Sequence, residues 1–410
     1  MSAVTARPIN LWLRVFAPFA VGYYLSYLLR TVNAVIAPEL TRELGISAAD
    51  LGLLTSAYFF AFALAQLPIG IGLDRFGARR VETVLLLFAG AGCLIFAFGH
   101  SLGALALGRA LIGLGVSACL MAALKSLFQW FPPQRQASMT GSIMTAGGLG
   151  ALSASLPLEA ALPLVGWRGV FVASAVLTAV VIVAVWTVPD KPGEAQSAPL
   201  REQMRALGGI FRTRPFWRYG LQMGLITGGN MALQGLWAVP WLINFNGYTR
   251  AQAADHLFVM GAATLAGYLF VASFATRLAA RGIKPVHLLT AGSVLTLAST
   301  LAAVLDAGPT RLVWLGLGLG ASTTNLAYSL LAAHFAPQLS GRVSTALNLL
   351  AFVGAFGIQW GFGGLVDALT AQQWSPRDAY QGAFAVLLAL ETASFVWFLI
   401  GDRKPPAHPG

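Results

Sequence analysis

The stretch "GIGLDRFGARR", Gly70 to Arg80, decides the reading of this chain. It is a short glycine-bearing turn with one acid at a helix end and three arginines, and an apolar run flanks it on each side. "LGLLTSAYFFAFALAQLP", Leu51 to Pro68, precedes it and "VLLLFAGAGCLIFAF", Val84 to Phe98, follows it. Spans predicted near 48–72 and 82–100 have the length of about 20 residues that crosses roughly 30 Å of hydrocarbon. The turn between them therefore lies at a membrane surface.

The same alternation fills the chain. Of 410 residues 57% are hydrophobic and only 10% charged, well below the roughly 25% charged of an ordinary soluble chain. Further spans are predicted near 12–37, 103–131, 137–161 and 168–188, then near 216–243, 255–279, 285–305, 309–336, 342–367 and 379–400. The prediction is an all-α membrane protein with twelve transmembrane helices in two pseudo-symmetric six-helix bundles, residues 1–188 and 216–410. Between them, residues 189–215 form the one long polar stretch, rich in Pro, Gly and Ser and then basic, and read as a linker ending in a short surface helix. The first apolar run continues for a full span without a cleavage site and is expected to stay in the mature protein.

A net charge of +11 would point a soluble domain toward nucleic acid. Here the placement of the charges matters more. Of the 26 Lys and Arg residues, nineteen fall on the side of the termini and linker, five on the other side, and Arg30 and Arg109 within spans. By the positive-inside rule both termini and the linker are cytoplasmic. No nucleic-acid partner is expected.

Within the halves, "GLGVSACLMAALKSLFQWFP" (Gly113 to Pro132) lies on "GLGASTTNLAYSLLAAHFAP" (Gly318 to Pro337) without gaps, where a duplicated six-helix unit requires it. Parallel repeats of this kind mark transporters whose site lies mid-membrane between the repeats. With the glycine turn, these features resemble the major facilitator superfamily. Gly70, Asp74, Arg75, Gly77, Arg79 and Arg80 match its motif between the second and third helices, while Gly72 and Ala78 depart from it. The resemblance implies a conformational latch on the cytoplasmic side, monomeric function and location in the cytoplasmic membrane. Simple topology-setting charge is the alternative account of Arg79 and Arg80.

The first span, "VGYYLSYLLRTVNAVIAP" (Val21 to Pro38), carries Arg30 well inside it. At 100° per residue Tyr23, Ser26, Tyr27, Arg30 and Asn33 share one face, opposite Leu25, Leu28, Leu29 and Val32. A charge at that depth needs protein, water or a ligand. Of the fifteen acids only Glu391 is placed near the middle of a span, so Arg30 is read as an anion receptor. A structural arginine paired with carbonyls or a buried acid is the alternative. "YLLRTVNAVIAPEL" and the second span resemble the branch of anion and cation symporters that moves organic anions and sugar phosphates, which implies an arginine gripping the anionic group.

Other candidate cavity residues are Asn230, Gln234 and Trp237 in the seventh span, Asn325 and Tyr328 in the tenth, and Asn348 and Gln359 in the eleventh. Lys125, Arg109 and Glu391 are candidates for coupling or a second cation site. In the fifth span Gly147, Gly148 and Gly150 read as close packing, and the displaced proline counts against a drug-proton antiporter. Cys93 and Cys119 read as small core residues. The five histidines are scattered, with no HExxH, no Gly-x-Ser-x-Gly elbow and no paired intramembrane acids, so no enzyme, metal or cofactor is expected. The expected function is secondary transport of a small organic anion, with a proton as a candidate co-substrate. Efflux of an amphipathic metabolite, drug or siderophore-like polycarboxylate is the alternative.

Overall fold

The computed structural model describes residues 11–131, 133–189, 205, 208–336 and 339–400, and they are helical almost throughout. A π-helical turn, Trp12–Phe16, runs into α1, Ala17–Leu44. Then come α2 (Ala48–Phe76), α3 (Ala78–Phe98), α4 (Leu102–Val116), α5 (Cys119–Trp130), α6 (Pro133–Ser153) and α7 (Leu156–Trp186). Most of the predicted linker, residues 190–204, lies outside the described residues. The second half holds α8 (Arg214–Gln222), α9 (Gly228–Ala232), α10 (Ala238–Asn246), α11 (Arg250–Ala280), α12 (Pro285–Val304), α13 (Thr310–Ser322), α14 (Leu326–Ala332), α15 (Ser340–Ala371) and α16 (Pro376–Ile400).

Among the described residues eight helices, not twelve, are long and apolar enough to cross a membrane. The predicted runs near 12–37, 137–161, 216–243 and 309–336 are not among them. Each has a local reason. α1 carries Arg30 within it and Glu39, Arg42 and Glu43 near its end, and α6 is rich in small and polar residues. The run from α8 to α10 is interrupted by π-helical turns at Met223–Thr227 and Leu233–Trp237, and α13 passes into α14 through a 3-10 turn at Thr323–Asn325. Irregular or polar helix at membrane depth survives only where it lines a cavity or is buried in protein.

Leu64, Leu87, Val180, Val183 and Leu312 are exposed on the outside of the molecule, as a hydrocarbon solvent requires. Inside, helices touch through small residues. A Cβ on Gly354 of α15 would collide with the Gly224 carbonyl oxygen, and one on Gly150 of α6 with that of Tyr24. Across the halves, α2 packs along α15, α6 along α11, and α1 against the turn at Leu233–Trp237. The space these pairs enclose is the candidate site.

The glycine turn of the opening stretch is a single residue. Gly77, at φ 80°, ends α2 and begins α3. With ψ at 163° this is a backbone region reserved almost wholly for glycine, and an L side chain there costs about 1–3 kcal/mol. Gly77→Ala should therefore lower the thermal unfolding midpoint, checked by unfolding scans.

Candidate functional site

One face of the molecule, the linker face, carries the start of α1 and the helix ends flanking the linker, and the far face lies opposite it. Between the halves lies a cavity of about 470 Å³. It reaches from Arg30 toward the linker face, where Leu124, Thr140, Met223 and Ser344 line it.

α1 is continuous from Ala17 to Leu44, so its helical period holds and Tyr23, Ser26, Tyr27 and Arg30 all line the cavity. Arg30 is 7% exposed. Its guanidinium carbon lies 4.3 Å from the Tyr27 ring centroid, 5.3 Å from that of Phe352 and 5.6 Å from that of Phe62. Phe62 and Phe352 stack on one another at 3.9 Å, joining α2 to α15. Among the described residues Arg30 forms no ion pair, and its buried Nε has no hydrogen-bond partner. Ring faces attract the cation but cannot replace a counter-ion.

Of the other candidates, Asn230, Gln234, Asn325, Tyr328 and Asn348 also line the cavity. Tyr328 donates to Asn348 Oδ1 at 2.8 Å, and Asn348 Nδ2 donates to Gln66 Oε1 at 3.0 Å, a polar bridge from the second half to the first. Gln66 and Tyr268, which also lines the cavity, were not anticipated. Each stands alone among apolar neighbours, and a lone polar residue in an apolar run was the available signal.

Three candidates lie elsewhere. Asn33 is fully buried and donates to Thr55 Oγ1 at 3.1 Å, because three residues beyond Arg30 it has turned toward α2. Trp237 donates its indole N–H to the Gln359 carbonyl at 2.9 Å and stacks on Phe362. The π-helical turn ending at Trp237 has more residues per turn than an α-helix and rotates the indole off the Asn230 and Gln234 face. Gln359 is fully buried beside it, and no hydrogen-bond partner is present for its amide among the described residues.

Arg109 is fully buried, donates to the Leu29 carbonyl at 2.7 Å and covers the Tyr58 ring. It holds the α1 backbone beside Arg30 rather than the cavity. Lys125 donates to the Leu73 carbonyl at 2.7 Å, tying α5 to the end of α2. Glu391 is buried, accepts from Thr300 at 3.2 Å and lies against Gly229, directly behind Asn230. It is not the only buried acid. Glu82, one turn into α3, is fully buried against Gly22 and beside the Cys119 thiol.

In the motif turn, Arg79 donates to the Val188 carbonyl at 3.2 Å and covers the Trp186 ring, both at the end of α7 in the same half. Arg75 lies over Phe76, and Gly70 and Arg80 are exposed. The Asp74 side chain is outside the described residues. At the far face Arg250 of α11 pairs with Glu39 of α1 and with Glu159 of α7, the latter at 3.3 Å. There too Asp367 of α15 accepts from the Ala48 and Ala49 N–H groups at 3.1 and 2.8 Å, capping α2 from the opposite half.

The family model for the Major Facilitator Superfamily matches residues 19–358. The chain belongs to this superfamily. A structure of a bacterial homolog to the human lysosomal transporter Spinster, in an inward-facing and occupied conformation, superimposes with a TM-score of 0.76 at 17% identity, covering 98% of this chain and 100% of that one. The nucleoside transporter NupG gives 0.75 at 14% identity, covering 97% and 100%. At these identities the likeness is one of fold.

Closer in sequence is the hexuronate transporter of Escherichia coli K12, 26% identical over 225 residues, which are 50% of this chain and 52% of that protein. The probable L-galactonate transporter of the same organism is 31% identical over 154 residues, 37% of this chain and 34% of that one. The probable sulfoacetate transporter of Cupriavidus necator is 27% identical over 150 residues, 37% and 35%. The matched region thus spans about half or less of these relatives. This facilitator superfamily member is similar, over part of its length, to transporters of organic anions.

Proposed function

We propose that this transporter moves a small carboxylate-type organic anion across the cytoplasmic membrane by alternating access, with Arg30 holding the anionic group. The observation that carries the reading is a buried guanidinium in a central cavity with aromatic rings around it and no acid against it among the described residues. The names of the hexuronate, L-galactonate and sulfoacetate relatives support the same class.

Twelve spans in two six-helix bundles, residues 1–188 and 216–410, and a cytoplasmic linker complete the reading, with interrupted helices supplying the spans that fail the apolar test. The linker face is read as the cytoplasmic one, because the sequence assigns nineteen basic residues to the side of the termini and the linker. The far-face contacts of Arg250 and Asp367 then belong to an inward-open state. The Gly70 to Arg80 turn acts as a latch in the opposite state, the protein works as a monomer, and a proton travels with the substrate or on Glu391. The apolar share of the lining favours one rival, export of an amphipathic metabolite, which accumulation of the solute in deletion cells would establish.

The test is a thermal-shift screen of purified protein and Arg30→Ala against carboxylates, phosphate esters and neutral amphiphiles. A ligand at about 100 times its dissociation constant adds roughly 2.7 kcal/mol of stability. Stabilisation by carboxylates that is absent in the variant is the expected result. Equal stabilisation of both proteins by neutral amphiphiles would sink the reading.

A further inference from the structure

We propose that Asn33, Thr55 and Gln359 form the far-side half of the solute path, a polar surface shut between the halves in this state and uncovered when the far face opens. This rests on the alternating-access reading and adds to it residues that the present cavity does not reach.

The seam between α2 and α15 carries the argument. Along α2, Gln66, Phe62, Phe59, Thr55 and Gly52 recur every three or four residues and share one face. Along α15, Asn348, Phe352, Gln359 and Gly363 share a face in the opposite chain direction. The contacts pair the two faces in order. Asn348 donates to Gln66, and the Phe352 ring lies 3.9 Å from that of Phe62 and 6.0 Å from that of Phe59. Beyond the rings, a Cβ on Gly52 would come within 2.7 Å of the Gln359 carbonyl oxygen, and one on Gly363 would collide with that of Ala48. From linker face to far face the seam therefore runs amide bridge, aromatic stack, amide layer and glycine contact.

Gln66, Phe62, Asn348 and Phe352 line the cavity. The amide layer lies behind the rings. Asn33, Thr55 and Gln359 are all fully buried there, and Asn33 donates to Thr55. A Cβ on Gly235 would lie 3.5 Å from the Arg30 carbonyl oxygen and 3.5 Å from Gln359 Oε1, so the layer joins α1 and α2 of one half to α15 and the Leu233–Trp237 turn of the other.

As a permanent seal this layer is poorly chosen. Asn33 Oδ1 and both polar atoms of the Gln359 amide have no hydrogen-bond partner among the described residues, and a buried polar group without one is costly. Apolar side chains would close the seam better. The amides gain partners once the halves part at the far face, where water and a passing solute reach them. Gln359 is eleven residues beyond Asn348 on the same face, roughly three turns or about 16 Å along the axis. The stripe that presents an amide to the cavity in this state thus presents another to a cavity on the far side of the rings. Arg30 serves both, because its guanidinium lies against Phe62 and Phe352 while its carbonyl faces the amide layer.

The test places single cysteines at Asn33, Thr55 and Gln359, and at Thr264 as a cavity control, in the full-length protein with and without Arg250→Ala. Two membrane-impermeant thiol reagents are applied from one face at a time, the anionic sulfonatoethyl and the cationic trimethylammonioethyl methanethiosulfonate, with rates normalised to a free thiol. Asn33→Cys, Thr55→Cys and Gln359→Cys should react from the far face, about fivefold or more faster with Arg250→Ala, and should not react from the linker face. The anionic reagent should be favoured, and Arg30→Ala should remove that preference. Reaction of Thr264→Cys from the far face with none at the other three positions overturns this inference and leaves alternating access standing. Reaction of the three from the linker face overturns it as well, since the layer would then belong to the present cavity. No reaction of Thr264→Cys from the far face overturns both. Reaction without an anionic preference keeps the path and overturns Arg30 as the anion site. Three positions on two halves decide the matter even where one variant fails to fold.

Discussion

Arg30→Ala should abolish measurable transport and weaken anion binding by at least about thirtyfold, the lower end of the 2–5 kcal/mol lost when one member of a desolvated charge pair is removed. Its effect on the ligand-free protein should have the opposite sign. A guanidinium that is 7% exposed, with no ion pair among the described residues, is a charge largely held out of water without a counter-charge. The rings at 4.3 to 5.6 Å return part of the cost, about 0.5–2 kcal/mol for a cation over an aromatic face. The net is a destabilised apo state, so Arg30→Ala should unfold at the same temperature as the wild type or higher when no ligand is present. Arg30→Lys keeps the charge but loses the planar fork, and should recover only part of the affinity. Thermal scans and equilibrium binding on the three proteins check both signs. A fall of several degrees in ligand-free Arg30→Ala would make the arginine part of the scaffold.

The same residue marks how far helical periodicity carries from sequence to site. On the unbroken α1, Ala17 to Leu44, the 100° rule agrees with the cavity lining at Tyr23, Tyr27 and Arg30 but not at Asn33, which faces Thr55. On the run from Arg214 to Asn246 it holds only for Asn230 and Gln234. Two π-helical turns, which leave no mark in the hydrophobic pattern, displace Trp237 into the α15 contact. Apolar run length likewise matches the eight regular helices, while the four other runs fall short of the same test because the residues that line the cavity make them polar or interrupted. Glu82 escaped notice for a simpler reason. It sits at the edge of an apolar run, where acids are normally solvated, but the one-residue turn at Gly77 starts α3 so early that Glu82 is already inside the bundle.

Arg250→Ala should open the far face. Arg250 is the cation that α11 places between Glu39 and Glu159, and all three are largely shielded, with side chains 27%, 20% and 16% exposed. Removing it deletes two cross-half ion pairs and leaves two carboxylates facing each other, so the contact turns from attraction to repulsion. A partly desolvated pair of this kind is worth more than the 0–1 kcal/mol of an exposed one. A bias of about 1–3 kcal/mol corresponds to a shift of 5- to 150-fold between two conformations. The Asp367 cap on α2 crosses the halves independently, so the face should loosen without the protein unfolding. The readout is the rate at which a membrane-impermeant maleimide, applied from the far face, labels a cysteine introduced at Thr264 in the cavity lining. The native Cys93 and Cys119 are buried and give little background. Labelling should rise several-fold in Arg250→Ala, and Arg250→Lys should fall between the two. Because conformational bias and ligand binding are linked, anion affinity measured from the linker face should drop by the fraction of molecules that leave the inward-open state. An unchanged labelling rate would mean that the Asp367 cap and the Phe62 and Phe352 stack hold that face shut, and the arginine serves only to tie α1 to α7.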